Sequence, residues 1–213
     1  MRETLKQGET SVKGIVSKPI PPQDPALSRA FSGKDLEVMT KGVDALKQWT
    51  GKATATIVYD STKDPFTDDG LFYKVKGKPN IALVGFTTKH DVFGGFYSNA
   101  VMQQDKQVYD WSMFAFSFES RGRCETPKRF PVKEGRRGNA IVSFWKNDSY
   151  GFVQFGVDFA GCFWFGNERS KSYCCTMSSA FDGLKNKTLT GKTGTYDNGP
   201  YHHYARLVAI QLD

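Results

Sequence analysis

The side chains here with the most chemical scope are thiols and imidazoles. Cys174 and Cys175 are adjacent, Cys124 and Cys162 lie upstream, and the histidines are His90, His202 and His203. Neighbouring thiols can sense redox state, and a thiol activated by an imidazole can act as a nucleophile. Cys174 with His202 is the pairing that such a mechanism would use, with Arg169 and Lys171 as the cations close in sequence. The spacing argues against both ideas. A disulfide between adjacent residues is strained, and no third residue in the sequence orients His202. There is no CxxC, no HExxH and no Cys/His zinc spacing, so neither a metal nor a cofactor is expected. LTGKTG, Leu189 to Gly194, carries the GKT of a phosphate loop. Asn186 stands where that pattern needs its first glycine, so the stretch reads as a turn. GxSxG is absent and the carboxylates are scattered. A non-enzymatic role therefore ranks ahead of a thiol-dependent peroxide-scavenging enzyme using Cys174 or Cys175.

Charge gives a second candidate. The 213 residues carry a net +7, and much of the excess lies in RGRCETPKRFPVKEGRRG, Arg121 to Gly138. Arg121, Arg123, Lys128, Arg129, Arg136 and Arg137 form its basic patch, which could meet RNA or an anionic surface. Few aromatics interleave with these charges, so a solvated loop is the preferred reading. The chain starts MRETLKQGET, with no apolar leader, and has no run of about 18 apolar residues. The expectation is a cytoplasmic protein without a membrane span.

These side chains need a scaffold. Residues 1–34 are polar and contain KPIPPQDP, which suggests a tail or linker, polyproline-like over Pro19 to Pro25. Leu36, Met39, Val43 and Leu46 recur at helical spacing, predicting a helix over 35–50 that Ser32 or Asp35 caps and Gly51 ends. From 53 to 213 the texture is β. ATATIVYDS, NIALVGFTT, DVFGGFYS, WSMFAFSF, AIVSFWKN, YGFVQFGV, GCFWFG and YARLVAIQL are short apolar runs separated by turn residues. In WSMFAFSF, Met113 and Ala115 face one way, Phe114, Phe116 and Phe118 the other. The fold class is mostly β (α+β): a two-sheet antiparallel β-sandwich flanked by a few short helices.

Within DVFGGFYS, Gly94 and Gly95 stand between Phe93 and Phe96, with Asp91 just before. Glycine weakens a strand interior, so the pair needs a reason. The expectation is geometric: a sharp bend that lets Phe93 and Phe96 both reach a core.

HDVFGGFYS, with the upstream IVYDSTKDPFTDDGLFYKVKGKPNIALVGFTT, resembles the TLDc domain of oxidation-resistance and nuclear-receptor-coactivator-like proteins. Val58-Tyr59-Asp60-Ser61, the strand Asn80 to Thr88, and Val92 to Phe96 with Ser98 match its motifs. FSFES and YARLVAIQL resemble later strands, and FGNERSKSYCCTMSSAF places Ser172, Cys175, Thr176 and Phe181 comparably. The likeness runs from about Trp49 to Leu212. It departs where Ser170 replaces a motif glycine and where the basic stretch is longer. The resemblance implies a sandwich fold and a non-enzymatic interaction module, tied to oxidative-stress resistance or to subunits of the vacuolar-type proton ATPase. Asp91, Glu168 and Ser172 are the expected partner-binding or loop-organising residues.

Overall fold

The computed structural model describes residues 24–158, 161–194 and 201–213. In chain order the elements are α1 (Pro25–Ala30), α2 (Gly33–Thr50), β1 (Ala55–Asp60), α3 (Asp68–Val75), β2 (Ile81–Thr87), β3 (Val92–Tyr97) and β4 (Gln107–Tyr109). Then come β5 (Phe114–Glu119), β6 (Lys128–Pro131), a 3-10 helix (Glu134–Asn139), β7 (Ala140–Phe144), β8 (Val153–Val157), β9 (Gly161–Phe165), α4 (Met177–Ala180) and β10 (Tyr204–Leu212). Two antiparallel sheets result, ordered β1-β10-β2-β3-β5-β6 and β4-β7-β8-β9. The β-sandwich expected from the sequence is the fold.

Strand alternation decides where the apolar side chains go. On the six-stranded sheet, Leu83, Phe93, Ala115, Leu207 and Ala209 point at the other sheet and join Phe155, Phe163 and Phe165 in the main core. Val84, Phe96, Phe114, Phe116, Phe118, Val208 and Ile210 point outward, beneath the helices. The α2 stripe of Met39, Val43 and Leu46 covers this outer face, with Trp49 edge-on to Phe114 at 6.0 Å. Burying each such side chain stabilises by roughly 1.5–3 kcal/mol. Gly51, at φ 70°, ends α2 in the left-handed conformation expected of it. Ser32 holds the N-cap position but its hydroxyl makes no capping bond.

Several expectations change. The tail does not extend to residue 34: Asp24 caps Ala26 N, Pro25 opens α1, and Leu27 and Phe31 are buried. Proline suits the first helical turn, where its missing N–H is no loss. The rest of the Pro19 to Pro25 run lies outside the described residues. The fourth predicted strand begins at Phe114, because Asp110 folds residues 110–113 into a turn. The basic stretch is not a plain loop, since it contains β6 and the 3-10 helix.

The glycines do not bend β3, which keeps regular register with β2 through both of them. Its irregularity lies at Val92/Phe93, against β5. A Cβ on Gly94 would overlap the Leu83 carbonyl oxygen and the Phe116 ring, and one on Gly95 the Phe155 ring. The pair is needed for close approach on each face. Phe93 and Phe96 accordingly enter two different cores.

Candidate functional site

The turn between β2 and β3 is built by Thr87 and Asp91. Thr87 Oγ1 accepts from Asp91 N at 3.0 Å, and His90 takes φ 65°, which a tight turn of this kind requires. The Asp91 side chain is 1% exposed. Its Oδ1 accepts from Arg121 Nε at 2.9 Å and Arg123 Nη2 at 2.6 Å. Arg123 also donates to the carbonyls of Thr188 and Leu189. One carboxylate thus ties three loops together, a use of a buried charge that needs both cations.

Beside it lies a cavity of about 140 Å³ lined by Thr87, Asp91, Thr190, Lys192 and His202, among others. Tyr204 Oη donates to Trp164 O at 2.7 Å, so the 2.9 Å contact between His202 Nε2 and that hydroxyl has the imidazole as donor. Nδ1 is then an acceptor, and among the described residues it has no hydrogen-bond partner. Burial foremost, then His203 and Lys192, pushes the His202 pKa down to about 3.

On the other side of the turn runs a groove of about 670 Å³. Its floor is Val38 of α2, Phe86, Val92 and Ala205; its rim carries Lys34, Asp35, Glu119 and Arg121. Lys34 pairs with Glu119 at 3.4 Å, and Glu119 also accepts from Arg121 N at 2.7 Å. Arg206 closes one end. It forms a two-pronged pair with Asp60 (2.6 and 3.0 Å) and lies 4.1 Å over the Phe31 ring. Burial alone would raise the Asp60 carboxyl, but bonds from Arg206 and Thr62 outweigh it and lower the pKa.

Asp91, then, organises loops. Ser172 is fully buried; its hydroxyl donates to Tyr150 O at 2.9 Å, and its carbonyl accepts from His202 N at 2.8 Å. Glu168 is exposed on the turn after β9, a separate loop that Asn167 bonds to Phe66. Most of the basic residues are engaged with other groups, and Arg129 lies close enough to Arg137 to be affected by its charge. Arg121 and Arg123 are spent on Asp91, Arg129 donates to Trp49 O and covers the Phe114 ring, and Arg136 reaches Asp158 at 3.5 Å. Lys128 lies 5.7 Å over Phe130, and Arg137 is exposed on the 3-10 helix.

The thiols are placed unlike the sequence pairing. Cys174 and Cys175 face opposite ways, Cys174 into the main core and Cys175 into a small cluster with Cys162 and Trp164. Cys175 N donates to Cys162 O at 2.8 Å, so Cys162 and Cys175 are the cross-strand neighbours. Burial first, then Cys162, raises the Cys174 thiol, and burial first, then Cys175, pushes Cys162 up to about 12. A nucleophilic thiol needs the opposite shift. The His202 imidazole is bonded to Tyr204, not to Cys174. The GKT stretch is a turn in which Thr190 Oγ1 accepts from Lys192 N. Among the described residues no three His, Cys, Asp or Glu side chains gather as a metal site, and no helix is long and apolar enough to cross a membrane.

Two organising carboxylates escaped the sequence reading of the site. Asp60 was legible only as part of the Tyr-Asp-Ser step. Asp110 accepts from Asn99 N and Ser112 N, and its signal was the Asp-x-Ser turn pattern. No known family model matches the chain. No curated protein matches it either.

Proposed function

We propose that the chain is a TLDc-type protein-interaction module acting in the cytoplasm, with subunits of the vacuolar-type proton ATPase as partners and oxidative-stress resistance as the setting. One observation carries this reading: the folded chain leaves open a groove of about 670 Å³ with an apolar floor, while Asp91 and Ser172 are consumed inside the fold. The rim carries both signs, Lys34 and Arg121 against Asp35 and Glu119, which suits a protein segment with an apolar face better than a polyanion. Asp91 acts at one remove, by holding Arg121 at the rim.

The test uses purified peripheral-arm subunits of that ATPase and the full chain. Wild type should bind one subunit, and the exposed-groove variant Val38→Glu with Thr88→Glu should lose at least about tenfold in affinity while keeping its circular dichroism. No binding by wild type, or equal binding by the folded variant, rejects the reading.

A further inference from the structure

Residues 172–175 run antiparallel beside β9, in a register set by an isolated bridge between Phe163 and Cys174. Two hydrogen bonds bracket that bridge. Cys175 N donates to Cys162 O at 2.8 Å, and Trp164 N donates to Tyr173 O at 3.3 Å. Cys162 and Cys175 are therefore directly opposite each other, as are Trp164 and Tyr173. Opposite residues project to the same side of a sheet, and successive residues to alternate sides. The packing agrees with the register. Phe163 and Cys174 both enter the main core, whereas Cys162, Trp164 and Tyr173 form a separate buried cluster against which Cys175 packs. The two thiols that share a face are thus Cys162 and Cys175, and Cys174 is directed away from both.

That placement suits a disulfide. Opposite residues joined by a backbone hydrogen bond lie about 5.5 Å apart at Cα, inside the roughly 4.4–6.8 Å that disulfides span. Their Cβ atoms, about 5 Å apart, must approach to about 3.8 Å. The ladder ends where this movement is needed: the next residue, Thr176, has φ 38° and holds the N-cap position of α4. A bond closed in this way is strained, and strained disulfides are the labile ones. The two thiols are unequal. Cys162 is 1% exposed, whereas Cys175 is half-buried with its Sγ 3.1 Å from Thr176 Oγ1. Burial first, then Cys175, holds Cys162 up at about 12, against the Gln154 and Trp164 side chains that favour its thiolate. Cys175 is the thiol that a reagent in solvent reaches first.

We infer that Cys162 and Cys175 are a redox pair that closes into a cross-strand disulfide by exchange with a low-molecular-weight disulfide such as oxidised glutathione. The Cys175 thiol loses its proton to solvent, and the thiolate attacks one glutathione sulfur. A bond from Cys175 to glutathione forms, the glutathione S–S bond breaks, and the departing thiolate takes up a proton. Cys162 Sγ then attacks the Cys175 sulfur, loses its own proton and expels the second glutathione. Two protein thiols are oxidised and one glutathione disulfide is reduced. Excess reduced glutathione runs both steps backwards, so the bond follows the surrounding thiol poise. Closure ties residues 172–175 to β9. The same residues hold the His202 segment, because Ser172 O accepts from His202 N at 2.8 Å. The inference concerns the face of the four-stranded sheet turned away from the main core, and it stands without the α2 groove.

The test incubates the full native chain with oxidised glutathione, alkylates the remaining thiols and reads tryptic peptides by mass. Wild type should lose two hydrogens and join the Cys162 peptide to the one holding Cys174 and Cys175. Fragmentation between Cys174 and Cys175 should assign the bond to Cys175, in wild type itself and so independently of whether any variant folds. Cys124→Ala and Cys174→Ala should keep the link, and Cys175→Ala should lose it. In Cys162→Ala a Cys175–glutathione adduct should accumulate, because the resolving thiol is gone. Adduct formation at Cys162 in Cys175→Ala should be at least about tenfold slower, as expected of a buried thiol. Excess reduced glutathione should remove the wild-type link. A stable glutathione adduct on wild-type Cys175 without any link overturns the inference. So does a link assigned to Cys174, one that forms only in urea, or one that resists excess reduced glutathione.

Discussion

Asp91 was visible in the sequence as a turn carboxylate, but its partners were not. Arg121 and Arg123 lie thirty and thirty-two residues away, in a stretch whose charge density reads as a solvated loop. Nothing local says which guanidinium will be buried. Asp91→Ala should cost about 3 kcal/mol in urea denaturation, because Arg123 keeps its two carbonyls but loses its counter-charge. A loss under about 1 kcal/mol would mean that solvent replaces the carboxylate without penalty. Gly94 makes a sharper contrast. Its absent Cβ leaves room for the Leu83 carbonyl oxygen, a backbone atom that cannot step aside. Gly94→Ala should lose more than about 3 kcal/mol or fail to fold. Gly135→Ala, with nothing within 4 Å of its Cβ, should change thermal stability by less than about 0.5 kcal/mol. The sequence marked the two strand glycines as meaningful and supplied the wrong reason, since a bend and a close approach leave the same residue type.

The element most legible in the sequence was α2, because a single-faced helix writes its buried stripe at steps of three and four. Strands β2 and β3 were legible as apolar runs, although every residue in them is buried and no polar face alternates. Such runs mark strands covered on both sides. The edge strands β4 and β6 leave no such run in the sequence. They are three and four residues long with mixed exposure, and each exists because β7 or β5 offers it a ladder. α1 was hidden by its proline, which reads as a breaker until the helix is seen to start there. α1 and α2 lie over Val84, Phe96, Phe114 and Phe116, so a chain lacking residues 1–52 should expose that sheet face. Such a protein should bind 1-anilinonaphthalene-8-sulfonate strongly and aggregate. A monomeric, dye-silent truncation would show that the outer cluster is dispensable.

For the molecule as a whole, acid should be the weak side. The His202 pKa is about 3 against an ordinary 6.5, with burial the main cause. Below pH 6.5 the unfolded chain therefore takes up a proton that the folded chain refuses. The contribution from His202 is complete above pH 6.5 and declines as pH falls toward 3. Between pH 6.5 and 5 the loss is about 2 kcal/mol. Asp60 acts in the same direction lower down: its lowered pKa stabilises above the ordinary carboxylate range, and that stability disappears as pH falls through the folded value. Urea midpoints at pH 7 and pH 5 should differ in wild type and converge in His202→Gln. A wild-type midpoint unchanged over that interval would mean that the ring is protonated in the fold. The sequence by itself determined the β-sandwich class, the α2 stripe and the positions of most strands, because alternation, helical spacing and turn residues are properties of adjacent positions. Only the tertiary structure decided which strands take the sheet edges, that the six-stranded sheet carries a core on each face, and that Cys162 faces Cys175. It also decided that Asp91 disappears beneath two arginines while Trp111 and Met102 stay exposed on the surface. Those outcomes depend on contacts between residues tens of positions apart, and chain closure over such distances leaves no local pattern to read.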